Sequence, residues 1–114
     1  ETVLAEKLET VVTRGDQNTR PRDYYDIYIL KKLQYANIRT EELGAALSAT
    51  AEKRGSIKVM AEYEIIMNRV KNSEVMQRQW RNYQKDFNYA ADIDFAECCD
   101  NVVEIMRELG REAV

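Results

Sequence analysis

Apolar residues recur three and four positions apart in successive stretches of this chain, the repeat of α-helices that each bury one face. Leu4, Leu8, Val11 and Val12 predict a first helix from about Thr2 to Thr13, ending near Gly15. After the polar loop Gly15-Asp16-Gln17-Asn18-Thr19, Pro21 suits the opening turn of a second helix that runs to about Tyr35. Thr40 reads as the N-cap of a third, with Glu41 and Glu42 in its first turn, Leu43, Ala46, Leu47 and Thr50 as its stripe, and Lys53-Arg54-Gly55 as its close. Met60, Tyr63, Ile66, Met67 and Val70 predict a fourth helix, interrupted around Asn72-Ser73, where the next is capped. The fifth carries Met76, Trp80, Tyr83 and Phe87, an aromatic face that must be covered. Asp94 with Glu97 resembles a capping box, and Ile93 with Cys98 a hydrophobic staple. They open a last helix that buries Phe95, Cys99, Val102, Met106 and Leu109. The expectation is an all-α, bundle-like domain of about six helices, with residues 1–114 forming a single domain.

Two places break this pattern. Lys7 falls on the stripe of Leu4, Leu8 and Val11, so an ammonium group enters a face that should be buried. On the second helix Asp23 and Asp26 share a side with Ile27, Leu30 and Leu33, so two carboxylates enter an otherwise apolar arc. One helix offers a cation and the next offers acids where the two can meet.

Composition narrows the class. One Pro and four Gly in 114 residues leave few turns for a β architecture. A net charge of −3 argues against a general electrostatic grip on nucleic acid. With no His and only the adjacent pair Cys98 and Cys99, zinc sites and His-dependent triads are excluded within this chain. The cysteines read as small apolar residues in a reducing compartment. No apolar run is long enough to span a bilayer, and a cytoplasmic protein is expected. No Gly-rich phosphate loop and no Gly-x-Ser-x-Gly elbow is present.

Each charge has an ordinary and a chemical meaning. Lys7 either lays its methylenes over Leu4 and Val11 with its ammonium in water, or aims that ammonium at phosphate. Asp23 and Asp26 either stabilise a helix N-terminus, or hold a divalent cation or take a proton from an attacking hydroxyl, flanked by Arg20 and Arg22. Arg78, Arg81 and Lys85 read as a solvated helix face, Lys53, Arg54 and Lys58 mostly as a helix end answering its own dipole, and the Trp80 face as core.

The segments AEKLETVVTRG and RPRDYYDIYIL together resemble the third and fourth motifs of the AbiEii-type nucleotidyltransferase toxins, the toxin halves of toxin–antitoxin and phage-abortive-infection systems. Those motifs are a Lys in an Ala-Glu-Lys-Leu helix, then Arg or Lys followed by Asp-aromatic-x-Asp at the head of the next. The resemblance implies that Lys7 contacts a triphosphate, that Asp23 is the essential acid with Asp26 a second candidate, and that Arg22 occupies the basic substrate-binding position. It also implies Mg²⁺ and a nucleoside triphosphate as cofactor and substrate, an RNA (transfer RNA) acceptor, and a cognate antitoxin. In that family a mixed sheet with Gly-Ser and an Asp-x-Asp pair holds metal and nucleotide. The chain then reads as the helical C-terminal part of a larger protein, inactive alone and able to self-associate through the face the sheet would cover. The opening at Glu1 without a cap is in keeping with this. Two rivals stand beside it: a helical interaction or assembly module in which Lys7 and the acids are a structural ion pair, and an antitoxin or regulator, which the lack of a strand-rich wing disfavours.

Overall fold

Leu4, Ala5, Leu8, Val11 and Val12 are all buried, and the helix that carries them is the hub of the domain. A computed structural model describes residues 2–112; Glu1, with the uncapped opening, lies outside the described residues. Seven α-helices occur among them: α1 (Thr2–Arg14), α2 (Pro21–Gln34), α3 (Thr40–Arg54), α4 (Ile57–Met60), α5 (Tyr63–Lys71), α6 (Glu74–Asp86) and α7 (Phe95–Glu112). Single 3₁₀ turns stand at Gly15–Gln17, Tyr35–Asn37 and Asn88–Ala90, and no strand occurs among the described residues. Helix α1 packs against α2, α3, α4 and α5, while α7 packs against α2, α3 and α5; α6 closes the side of α2. The radius of gyration is 13.5 Å, that of a packed domain of this length.

The all-α expectation holds, but the helix count rises from about six to seven because the fourth stripe is broken. Glu62 N–H turns back to Val59 O at 3.0 Å, and its φ and ψ of −94° and 19° leave the helical basin. The break turns α4, with Met60 buried, toward α1 and α3, while α5, with Ile66, Met67 and Val70 buried, packs mainly on α7 and on the Gly15–Gln17 turn. Arg39, not Thr40, occupies the cap position of α3; Leu43 N–H donates to Arg39 O at 2.9 Å, which puts Thr40 in the first turn. The close of α3 is as expected. Gly55 is left-handed at φ 70°, with Ser56 N–H on Ala51 O at 2.8 Å and Gly55 N–H on Glu52 O at 3.2 Å, a Schellman end. Ser73 caps α6 through the Met76 N–H.

The stripe of α2 differs from the one expected. Tyr24 and Ile27 are its buried centre, Leu30 is half-buried, and Leu33 is 67% exposed, so this helix is fully buried only near its start. Its far end is tied to α7 through Lys31, which reaches Glu104 and Asn101. Asp23 and Asp26 therefore flank the buried centre. On α6, Met76, Trp80 and Tyr83 are covered as expected, but Phe87 is not: it ends the helix in extended conformation and is 43% exposed. Cys98 and Cys99 are free and buried, and burial pushes the Cys99 thiol up to about 12 and the Cys98 thiol higher still. Both behave as core.

Candidate functional site

The turn between α1 and α2 sets the site. Gly15 turns the chain at φ 53°, and fully buried Asn18 accepts the Arg20 N–H on its side-chain oxygen at 2.8 Å. Pro21 then starts α2 without losing a hydrogen bond. This places Asp23 in the first turn, where the positive end of the helix favours a carboxylate.

Lys7, from α1, reaches across to both acids. Its Nζ lies 2.9 Å from Asp26 Oδ2 and 3.8 Å from Asp23 Oδ1. The side chains are 26%, 23% and 12% exposed for Lys7, Asp26 and Asp23, so the group is mostly withdrawn from water without being sealed. The ammonium thus ends against carboxylates, not alone in solvent. Arg22 Nε stands 3.8 Å from Asp26 Oδ2 with its side chain 76% exposed, which leaves the guanidinium largely to the solvent. Asp23 Oδ2 is buried and has no hydrogen-bond partner. A carboxylate oxygen in that condition is costly unless something accepts it as a ligand.

These residues line one open cleft of about 440 Å³, made of Lys7, Arg20, Pro21, Arg22, Asp23, Asp26 and Tyr83. Tyr83 was not among the residues singled out for chemistry; its position on the α6 stripe gave only its burial. Its hydroxyl is 2.7 Å from that of Tyr89, and burial followed by this hydrogen bond raises its pKa well above the ordinary tyrosine value. It stays protonated and serves as a wall.

The remaining charges separate cleanly. Arg78, Arg81 and Lys85 are exposed, as a solvated face would be. Trp80 donates from Nε1 to Ile93 O at 2.8 Å and stacks near Tyr83 and Phe95, so it is core. Arg54 does more than answer a dipole. It binds Glu9 Oε1 at 2.7 Å, and Ser56 Oγ donates to Glu9 Oε2 at 2.8 Å, joining α1 to the end of α3. Glu9 is only 4% exposed, a second charge in the α1 face that went unread, although its spacing from Ala5 and Val12 places it there.

The donor set does not make a metal site from this chain alone. Asp26 Oδ2 already faces the Lys7 ammonium, and no cluster of three or more His, Cys, Asp or Glu able to hold a metal ion occurs among the described residues. Gly55-Ser56 and Asp92-Ile93-Asp94 repeat short elements of a nucleotide-binding pattern, but the first pair closes α3 and the second stands on the turn before α7, not on a strand. No helix among the described residues is long and apolar enough to cross a membrane.

A family model described as the nucleotidyl transferase AbiEii toxin, type IV TA system, matches residues 1–101. Comparison with curated proteins and comparison with solved structures each return no match.

Proposed function

The chain belongs to the AbiEii family of nucleotidyl transferase toxins of type IV toxin–antitoxin systems, and we propose that it supplies the helical wall of the transfer site, with Lys7 and Asp23 as its working groups. The observation that carries this is the meeting of one ammonium and two carboxylates from consecutive helices on the floor of a single cleft. In this reading Lys7 neutralises charge on a nucleoside triphosphate while a hydroxyl at an RNA end, that of a transfer RNA, attacks the α-phosphorus. A new P–O bond forms to the RNA oxygen, the bond to the bridging oxygen breaks, and pyrophosphate leaves. The Asp23 carboxylate, which lines the cleft beside Lys7, takes the proton of the attacking hydroxyl, Asp26 holds Lys7 in place before substrate arrives, and exposed Arg22 receives phosphate.

Mg²⁺ belongs to this reading chiefly through residues outside these helices, with Asp23 left to join them, since Asp26 is engaged closely by Lys7. The 114 residues are accordingly one helical domain of a larger cytoplasmic protein, inactive alone, prone to self-association and held in check by a cognate antitoxin. A rival reading, a helical interaction module, is favoured by the 2.9 Å Lys7–Asp26 contact, which by itself is an ordinary way to tie α1 to α2. It does not account for the match of residues 1–101 to a nucleotidyl transferase family.

The test is Lys7→Ala and Asp23→Ala in the complete gene product, scored for growth arrest, nucleotide transfer to RNA and thermal unfolding. Both variants should lose arrest and transfer while still folding. Retained arrest in both rejects the assignment, and a loss explained by unfolding favours the module.

A further inference from the structure

Two aromatic side chains near the cleft are exposed, and one of them, Phe87, stands where its helical stripe should have buried it. Phe87 and Tyr89 are 43% and 51% exposed, yet neither hangs free. Tyr89 packs on Tyr25 at 4.5 Å between centroids, on Phe87 at 5.4 Å and on Tyr83 at 6.1 Å, and Tyr83 packs on Phe87 at 4.8 Å. The hydroxyl bond from Tyr83 to Tyr89 fixes the second ring against the first. The backbone beneath is held as well, because Phe87 O accepts the Ala90 N–H at 3.1 Å and Gln84 Nε2 donates to Ala90 O at 3.2 Å and Ile93 O at 2.9 Å. A rigid ledge of rings therefore runs from Tyr83, which lines the cleft, outward to Phe87 and Tyr89, which do not.

At its inner end Tyr83 shares the cleft lining with Arg20 and Arg22, both exposed. Aromatic faces next to guanidinium groups on an open surface suit unstacked bases with their phosphates, the features of a single-stranded nucleic acid end. A nucleobase of the incoming nucleotide would lie inside the cleft with its phosphates, whereas the ledge leads away from it. We infer that Phe87 and Tyr89 form a stacking platform for a terminal base of the RNA acceptor strand, with Arg22 on its adjoining phosphate, so that the strand is laid toward Lys7 and Asp23. This rests on the nucleotidyltransferase reading above.

The experiment uses the complete gene product without nucleotide and a short single-stranded RNA carrying a fluorophore at its 5′ end, read by anisotropy. Tyr89→Ala should weaken RNA binding by about fivefold to a hundredfold, with Phe87→Ala in the same range. Tyr89→Trp should retain binding. Removing the 3′ terminal base from the RNA should weaken binding to the unaltered protein and have little further effect on Tyr89→Ala. Affinity for the triphosphate, measured separately, should not move. Unchanged RNA affinity in both alanine variants, with circular dichroism showing them folded, overturns the proposal. A loss confined to triphosphate affinity assigns the ledge to the incoming base and overturns it too, as does a change only in oligomeric state by light scattering. Because RNA binding is read without chemistry, failure of the ledge leaves the Lys7 and Asp23 result untouched, and the converse also holds.

Discussion

Arg54→Ala tests how the helix carrying Lys7 is held. Glu9 is 4% exposed in the contact between α1 and the end of α3, with Arg54 Nη1 at 2.7 Å and Ser56 Oγ at 2.8 Å on its two carboxylate oxygens. Removing the guanidinium leaves a buried carboxylate with one hydrogen bond and no counter-charge. Breaking a fully buried pair costs about 3–5 kcal/mol, but the Arg54 side chain is 43% exposed and already screened, which brings the expected loss to about 2 kcal/mol. Ser56→Ala removes a neutral donor from a charged acceptor and should cost about 1–2 kcal/mol. Glu9→Gln keeps the shape and frees Arg54 to turn to water, so its expected cost is about 1 kcal/mol. In a chain of this size each kcal/mol lowers Tm by about 4 °C.

Urea unfolding followed by far-ultraviolet circular dichroism gives these losses directly, with the midpoint falling and the slope unchanged. The double variant Glu9→Gln, Arg54→Ala should be more stable than the sum of the single losses implies, by about 1 kcal/mol, because the stranded charge is gone. If Arg54→Ala costs under about 0.5 kcal/mol and the two changes add, the guanidinium is not compensating Glu9 and the reasoning fails.

Two further outcomes follow from the core and the turns. Cys98, Cys99 and Tyr24 all have folded pKa values raised by burial, from 9.0 for the thiols and 10.0 for the phenol. Their contribution is therefore whole below about pH 9 and is lost as pH rises toward the folded values, at about 1.4 kcal/mol per pH unit for each group ionised only in the unfolded chain. Denaturant melts from pH 8 to 11 should show this fall steepening past pH 10, and a flat profile counts against the buried, neutral state. Gly55→Ala should cost about 1 kcal/mol by the same melts. An added Cβ meets nothing within 4 Å, so only the left-handed backbone at φ 70° resists it, and an unchanged or raised midpoint removes that account.

What could be read in the sequence was what neighbours in the chain decide. The helical class, the Schellman end at Gly55 and the buried stripe of α7 depend on residues within a turn or two of each other, and the structure has these three. The split between α4 and α5 was not legible, because the stripe from Met60 to Val70 is continuous and its halves part only in their neighbours, α1 and α3 for α4, mainly α7 and the Gly15–Gln17 turn for α5. Phe87 misled for a similar reason: spacing puts it on the face of Trp80 and Tyr83, but the helix ends there, and an extended residue points elsewhere. Glu9 lay on a legible stripe, yet its partner is 45 residues away, so nothing local could tell a satisfied charge from a misplaced one.

Lys7 and the aspartates were readable together because consecutive helices joined by a short turn pack side by side, so opposite charges on their facing stripes must meet. That nearness also sets a condition on the proposed chemistry. The ammonium is 2.9 Å from Asp26 and 3.8 Å from Asp23, so an arriving triphosphate must take Lys7 largely from Asp26. Asp26 is not then stranded, because Arg22 Nε stands 3.8 Å from the same oxygen and its side chain is free to move closer. Asp23 loses little, its nearer oxygen being only loosely paired and its other oxygen already without a partner. The two acids are thus unequal by geometry: Asp26 holds the ammonium closely and Asp23 only loosely, so in the proposed chemistry the Asp23 carboxylate is the readier acceptor for the reacting hydroxyl.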